Sequence, residues 1–395
     1  MFFTNKVTHN PRLLFWGRVL VEAKTLSAVI VMFYLHRDVN LNQVFYLSIV
    51  WSLTSLATEV PSGYLADHIG RKRTILLGVI LLFVSQFLMF FAHGFWQFVL
   101  SFIFLSSSFS CFSGTEEALL YESLKEMGQE REMNTRNGKL LSARSLPDIF
   151  LPVIGAFVAK DLLESQFQIL MTANMMMTII AFLIFCSLTE PQHIQEVKKQ
   201  ETGIFAQSIK TICGEPWLLK VAFNKLLVFI AVFIAWRMTQ PLLSQYGFGV
   251  EMLGIFYVIF QGLEFCASWF AGWIECRVKT AHLITTSTMA IMTLLTLAMI
   301  SPHPWIVFFS FAIGLPLYGL RDPVFSRAVN KRIQSKSRAT TLSNLNVIKG
   351  VLDIPFLFLA GWLSTFSLLY PLVLSVCLCF IALIFFPIRS RELES

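Results

Sequence analysis

Stretches of about 20 mostly apolar residues, the length needed to cross a bilayer as a helix, follow one another along almost the whole of this chain. Twelve can be marked out, at 13–35, 42–65, 74–92, 95–117, 138–160, 166–188, 216–241, 250–274, 281–300, 304–328, 340–364 and 366–388. With 55% of 395 residues hydrophobic, 14% charged and 39 Phe, a water-soluble domain would leave large apolar patches exposed. The expected fold is therefore all-α, a membrane protein of twelve transmembrane helices, with the lipid bilayer as its solvent and no sizeable soluble domain.

The net charge of +7 suggests a nucleic-acid partner until the cations are placed. Most Lys and Arg fall in the tails and the even-numbered loops, whereas Arg37 and Lys160 alone lie in the odd-numbered ones. That asymmetry is a topology signal and puts both termini in the cytoplasm; no nucleic acid is expected. The seven Cys (Cys111, Cys186, Cys213, Cys266, Cys276, Cys377 and Cys379) form no CxxC pair and read as spectator thiols. Nothing at the N-terminus resembles a cleavable signal, because residues 4–12 are polar and lead into a helix too long and too charged for one.

The longest polar stretch between helices, Thr189 to Pro216, separates six helices from six. The expected organisation is an N-terminal six-helix bundle at 1–188, a cytoplasmic central loop at 189–215 and a C-terminal six-helix bundle at 216–395. An offset of 205 residues superimposes Glu59 on Glu264, Arg144 on Lys349, Asp148 on Asp353, Gly114 on Gly319 and Glu117 on Asp322. Charges are rare in membrane helices, so these matches point to two pseudo-symmetric halves, a known transporter plan.

Between the second and third segments runs GYLADHIGRK, from Gly63 to Lys72. It resembles the loop signature of the major facilitator superfamily, roughly G-x-L-A-D-x-x-G-R-K. SGTEEALLYESL, Ser113 to Leu124, is similar to a segment common in a bacterial branch of that superfamily. The resemblance implies the fold of that family and a gate at the cytoplasmic side. In it Gly63 lets two helices approach closely, Gly70 belongs to the gating turn, and Asp67 and Arg71 form a charge cluster with an acid at the inner end of the fourth helix, a place that either Glu116 or Glu117 fills here. The second half carries a degraded copy, GWIECRVK from Gly272, in which Cys276 replaces the Asp, so gating by this loop is expected to be asymmetric.

An ionisable residue in a spanning helix costs about 2.5–3.5 kcal/mol on insertion scales, so it normally faces a cavity or a partner. In the first segment Arg18 and Glu22 are four apart and share a helix face, whereas Lys24 is turned away from Glu22. Glu59 lies eight residues from Asp67, about 12 Å into the bilayer, a depth suited to proton exchange. Arg144 with Asp148, and Lys349 with Asp353, repeat the i, i+4 spacing; these pairs either line a solute path or only neutralise each other. Arg237 and Lys225, with Trp236, offer a cationic side to a cavity. The candidate substrate- or proton-binding residues are thus Arg18, Glu22, Glu59, Arg144, Asp148, Arg237, Glu264, Lys349 and Asp353, with Glu22 and Glu59 leading as proton carriers.

No P-loop, GxSxG elbow or cluster of His ligands appears, so no enzyme activity, metal or cofactor is expected. The fifth segment, SLPDIFLPVIGAFVA, lacks the Gly-Pro pattern of many drug/proton antiporters of the superfamily. The expected function is secondary active transport of a small polar organic solute, anionic as in a carboxylate metabolite or siderophore, coupled to protons, by a monomer in the bacterial inner membrane, with efflux favoured by the resemblance. Two alternatives stand beside it: a broad-specificity drug/proton antiporter, and a transport-inactive membrane sensor, which would need a signalling tail longer than the one after Arg389.

Overall fold

The computed structural model describes residues 6–191, 216–275, 277–321, 324–325 and 338–388. Every regular element among them is helical. By internal contact the chain divides into two compact units, residues 1–39 with 47–199 and residues 40–46 with 200–395. In the first unit lie α1 (Asn10–Val21), α2 (Ile30–His36), most of α3 (Leu41–Ile69), α4 (Arg71–Phe91), α5 (Phe95–Phe112), α6 (Thr115–Glu126), α7 (Met133–Val158) and α8 (Glu164–Cys186). In the second lie α9 (Pro216–Gln245), α10 (Val250–Glu275), α11 (Thr280–Ile300), α12 (Pro304–Gly314), α13 (Arg338–Ser364) and α14 (Tyr370–Ile384). Helices α7 and α13, which carry Arg144/Asp148 and Lys349/Asp353, begin 205 residues apart, the offset of the sequence repeat. Asp322, Cys213, Cys276 and the central loop from 192 to 215 lie outside the described residues.

Among the described residues, eight helices are long and apolar enough to cross a membrane, and shorter apolar ones cover 27–36, 304–320 and 370–384. Large apolar side chains stand outward from them, Trp96 (78% exposed) and Ile300 (72%) among them, as lipid-facing residues do. Three expected spans are interrupted. The first breaks after Val21 and resumes through a short 3-10 turn, Ser27–Val29, into α2. The tenth gives way after Gly314 to a 3-10 segment, Leu315–Leu320. The fourth changes direction at Ser113 and Gly114, where φ of +71° at Gly114 is left-handed and suits a residue without a side chain.

Lipid provides no hydrophobic force between helices, so the first unit is joined by close packing and hydroxyls. Helix α5 supplies most of these. Ser108 donates to the carbonyl of Gly78 (2.7 Å), Ser106 to that of Trp51 (2.9 Å), Ser101 to that of Ser85 (3.0 Å), and the Ser110 and Thr58 hydroxyls share a bond of 2.8 Å. Gly78 makes the α4–α5 approach feasible, since a Cβ there would stand 3.1 Å from Cβ of Cys111. The opposite end of the unit from Asp67 is closed by Arg37, fully buried after α2. Its guanidinium grips the Glu164 carboxylate with both Nε (2.8 Å) and Nη2 (2.5 Å), and Nη1 donates to the carbonyls of Ala92 (2.8 Å) and Phe90 (3.1 Å). One side chain thereby fastens the ends of α2, α4 and α8. In the second unit α9 packs on α14, and α11 on α12 and α14.

Candidate functional site

The break in the first span creates the densest charge cluster in the described structure. Glu22 sits at the C-cap of α1, where its N–H still donates to the Arg18 carbonyl (3.0 Å). Its carboxylate pairs with Arg18 through one oxygen and with Lys24 through the other (2.7 Å). This corrects the expectation that Lys24 is turned away. That expectation assumed a continuous helix, and the chain leaves helical geometry at Glu22, which brings Lys24 back. Asn174 and the Leu170 carbonyl of α8 hold the break in place by bonds of 3.2 Å to the N–H and hydroxyl of Thr25.

From Arg18 the cluster continues to Glu116, whose side chain is completely buried: Arg18 Nη1 lies 3.5 Å from one of its oxygens and Arg144 Nη2 3.5 Å from the other. Arg144 also lies 3.7 Å from Glu117. Charges therefore alternate along Lys24, Glu22, Arg18, Glu116, Arg144 and Glu117, with the rings of Phe112 and Phe109 5.1 and 5.6 Å from the Arg18 guanidinium. The i, i+4 pairing of Arg144 with Asp148 is not made; Arg144 reaches across to α6 instead. Buried polar atoms are left without hydrogen bonds here, at Arg18 Nε and Nη1, Glu116 Oε1, Arg144 Nε and Asp148 Oδ1. Glu59 is half-buried on α3 and takes part in no ion pair among the described residues.

In the second unit, Lys225, Phe229, Phe233 and Arg237 succeed one another at four-residue steps on one face of α9. The Lys349 ammonium stands 3.6 Å over the Phe229 ring and the Arg237 guanidinium 5.1 Å from the Phe233 ring. The Trp236 and Phe260 rings are tilted by 34° with their centroids 4.4 Å apart. Glu264 packs against Gly319, where a Cβ would come within 3.3 Å of its Cγ. Asp353, on α13 with Lys349, keeps Oδ1 buried and without a hydrogen bond. Arg321 was absent from the sequence reading. It is fully buried, donating to Asn224 Oδ1 (2.6 Å), the Ile284 carbonyl (3.0 Å) and Thr288 Oγ1. It lies 205 residues after Glu116, a match overlooked because the charge is reversed.

The GYLADHIGRK segment ends α3 and starts α4, with Gly70 at φ +96° between them. Arg71 Nη2 meets Glu122 at 2.6 Å. The acid that completes this cluster is therefore Glu122, in place of Glu116 or Glu117. Those two lie in the first turn of α6 and serve the buried cluster, whereas Glu122 is about 9 Å further along the helix axis. Asp67 is exposed, on a cleft of about 990 Å³ that His68, Lys72, Arg73 and Glu190 also line. The close approach expected at Gly63 is absent among the described residues, since a Cβ there would meet nothing within 4 Å. In the degraded copy, Arg277 lies flat on the Trp273 ring (3.7 Å) of its own helix end.

Glu190 was also missed. Its carboxylate accepts the free N–H groups of Arg71 (2.7 Å) and Lys72 (2.8 Å) at the start of α4, while Asn10 fixes the adjacent Thr189 through its carbonyl (2.7 Å) and N–H (3.0 Å). A carboxylate at a helix N-terminus is favoured by both the unpaired N–H groups and the helix dipole. Glu190→Ala should cost about 1–2 kcal/mol locally, read as faster amide hydrogen exchange at Arg71 and Lys72 by roughly tenfold. Unchanged exchange there would show that the cap contributes nothing.

Comparison with known proteins accords with this geometry. The family description Major Facilitator Superfamily matches residues 19–354. The MFS-type transporter YxaM of Bacillus subtilis (strain 168), itself uncharacterized, is 24% identical over 244 residues, covering 59% of this chain and 58% of that protein. Among solved structures, a mutant of the nucleoside transporter NupG superposes with a TM-score of 0.81 at 12% identity, covering 96% of this chain and 98% of that one. A D-xylose–proton symporter does so with a TM-score of 0.71 at 11% identity, covering 98% of each chain. At such identities the likeness is one of fold. The chain belongs to the major facilitator superfamily: the regular structure of its described residues is all helical and includes eight helices long and apolar enough to cross a membrane.

Proposed function

We propose that this chain is a proton-coupled secondary transporter of the bacterial inner membrane, working as a monomer with both termini in the cytoplasm. It moves a small polar, carboxylate-bearing organic solute by alternating access, in the direction of efflux. The observation that carries this reading is Arg18. Its side chain is 4% exposed, yet two of its three nitrogens lack hydrogen bonds. A buried guanidinium with unused donors in a transporter is a ready partner for a carboxylate. Lys349 and Arg237 add cationic groups over aromatic rings in the second unit. A proton gradient is the proposed energy source, and one fold relative is by name a proton symporter.

The aromatic group around Trp236 favours a second reading, a broad-specificity drug/proton antiporter. Purified protein in proteoliposomes with an imposed pH gradient distinguishes the two, using a panel of carboxylates and of lipophilic cations. The first reading expects gradient-driven movement of a carboxylate that falls at least about tenfold in Arg18→Gln, as expected for loss of a charged hydrogen bond. Movement of lipophilic cations that tolerates Arg18→Gln, Arg144→Gln and Lys349→Gln would replace it with the second.

A further inference from the structure

Most acids that the first unit buries or half-buries have a settled counter-charge. Glu22 holds Arg18 and Lys24, Glu116 holds Arg18 and Arg144, and Glu122 holds Arg71; Glu164 holds Arg37, and Glu190 holds two backbone N–H groups. Asp148 is different. The cation one turn before it, Arg144, has gone to Glu116 and Glu117, and Asp148 Oδ1 is buried without a hydrogen bond. At the equivalent place in the second unit Lys349 lies over the Phe229 ring and acts on Asp353 by charge without hydrogen-bonding Oδ1, which is likewise buried without a hydrogen bond.

We propose that Asp148 and Asp353 are the proton-carrying groups of this transporter, one in each unit. This rests on the proton-coupled reading above and names its acids, displacing Glu22 and Glu59 from that role. An ionised carboxylate spreads its charge over both oxygens, so ionisation leaves charge on an oxygen that neither water nor a donor reaches. A proton on the carboxyl removes that charge. Both residues are only half-buried as a whole, so the second oxygen stays open to exchange.

The surroundings of Asp148 support the assignment. On its own helix the charged groups are Arg136, Lys139 and Arg144. The packed elements carry Arg12 and Arg18 on α1, Glu22 and Lys24 at the break, Glu116, Glu117, Tyr121, Glu122, Lys125 and Glu126 on α6, Glu130, Arg131 and Glu132 in the turn before α7, and Glu164 and Cys186 at the two ends of α8. Three of these cations (Lys24, Arg18 and Arg144) are matched by three acids (Glu22, Glu116 and Glu117) in one connected chain. That chain is neutral without Asp148, and an ionised Asp148 would add unmatched negative charge to it. Around Asp353 the packed elements carry Lys220, Lys225 and Arg237 on α9 and Tyr370, Cys377 and Cys379 on α14, beside Lys349 on its own helix. An acid whose charge is tolerated only when the cavity opens to water, and whose proton is retained when it closes, changes the relative stability of the two transport states.

Infrared difference spectra between neutral and acidic pH, on the full-length protein in lipid nanodiscs without solute, read the carbonyl stretch of a protonated carboxyl directly. Asp148→Asn and Asp353→Asn should each lose one band of buried carboxyl from that signal and the double variant both, above the background of the exposed acids, while Glu22→Gln and Glu59→Gln retain the two bands. Asp148→Glu should keep a band at a shifted frequency, a readout independent of whether the Asn variant folds. An unchanged spectrum in the double variant, loss of the signal in Glu22→Gln or Glu59→Gln, or no band in Asp148→Glu would overturn the assignment. Bands that behave as expected in a protein whose solute movement ignores the pH gradient would count against coupled transport, and leave the two proton sites standing.

Discussion

Arg37→Ala should lower the apparent thermal unfolding midpoint of the full-length protein in detergent by roughly 5–10 °C. The guanidinium is fully buried and makes four hydrogen bonds, two to one carboxylate and two to the carbonyls that close the α4–α5 corner. Removing one partner of a buried ion pair typically costs about 3–5 kcal/mol, and the lower figure applies because water can reach the abandoned Glu164, whose side chain is 37% exposed. Glu164→Gln keeps one acceptor, sets an NH2 against the second Arg37 donor and leaves the fully buried guanidinium without its counter-charge, so it should cost about 3 kcal/mol or more. The double replacement Arg37→Met with Glu164→Leu should recover much of the loss, because two packed apolar groups leave no stranded charge. A midpoint within about a degree of the parent for Arg37→Ala would mean that the corner is held by its aromatic packing around Phe33, Phe98 and Phe167.

Hydropathy alone predicted where helices run, since lipid demands long apolar segments with internally paired backbones. It was blind to where they stop being regular. Val21, Glu22 and Ala23 carry no Pro or Gly, and the break there is imposed by contacts from α8 and α7 distant in sequence, so the position of Lys24 was beyond a helical-wheel reading. The break at Gly114, by contrast, had a visible signal in Ser113-Gly114. The same limit applies to partners. Helical spacing placed Arg144 and Asp148 on one face correctly, but spacing along one helix carries no information about an acid on a neighbour, and Glu116 wins Arg144. Arg71 finds Glu122 for the same reason. Glu190 had a local signal, an acid just past a helix end and before Pro191, and Arg321 had the repeat offset. Neither signal is specific, since many loop charges lie near a helix end and the offset pairs Arg321 with an acid of opposite charge.

Glycines give the sharpest contrast, because the resemblance singled out Gly63 and the packing singles out Gly155. A Cβ on Gly155 would fall on the Thr25 carbonyl, with the carbonyl carbon only 2.8 Å away. That obstacle is backbone, pinned by Asn174 and Leu170, and has no rotamer to escape into. Gly155→Ala must push α7 away from the helix break, and α7 carries Arg144 and Asp148. Overpacking of this kind costs about 3 kcal/mol or more, and the displaced helix would open the contact between Arg144 and Glu116. Low folded yield and loss of transport are both expected. Gly63→Ala faces open space inside the last two turns of α3 and should stabilise the helix by up to about 1 kcal/mol. The two alanines thus separate packing from conformational cycling. If Gly63→Ala leaves both melting and transport intact, the glycine of the signature has no role in this chain. If it melts normally and transport stops, the close approach belongs to the other state of the cycle, and the gate is the place where Gly63, Arg71 and Glu122 act together. A Gly155→Ala protein that folds and melts like the parent would instead refute the α7 contact on which the whole buried charge cluster depends.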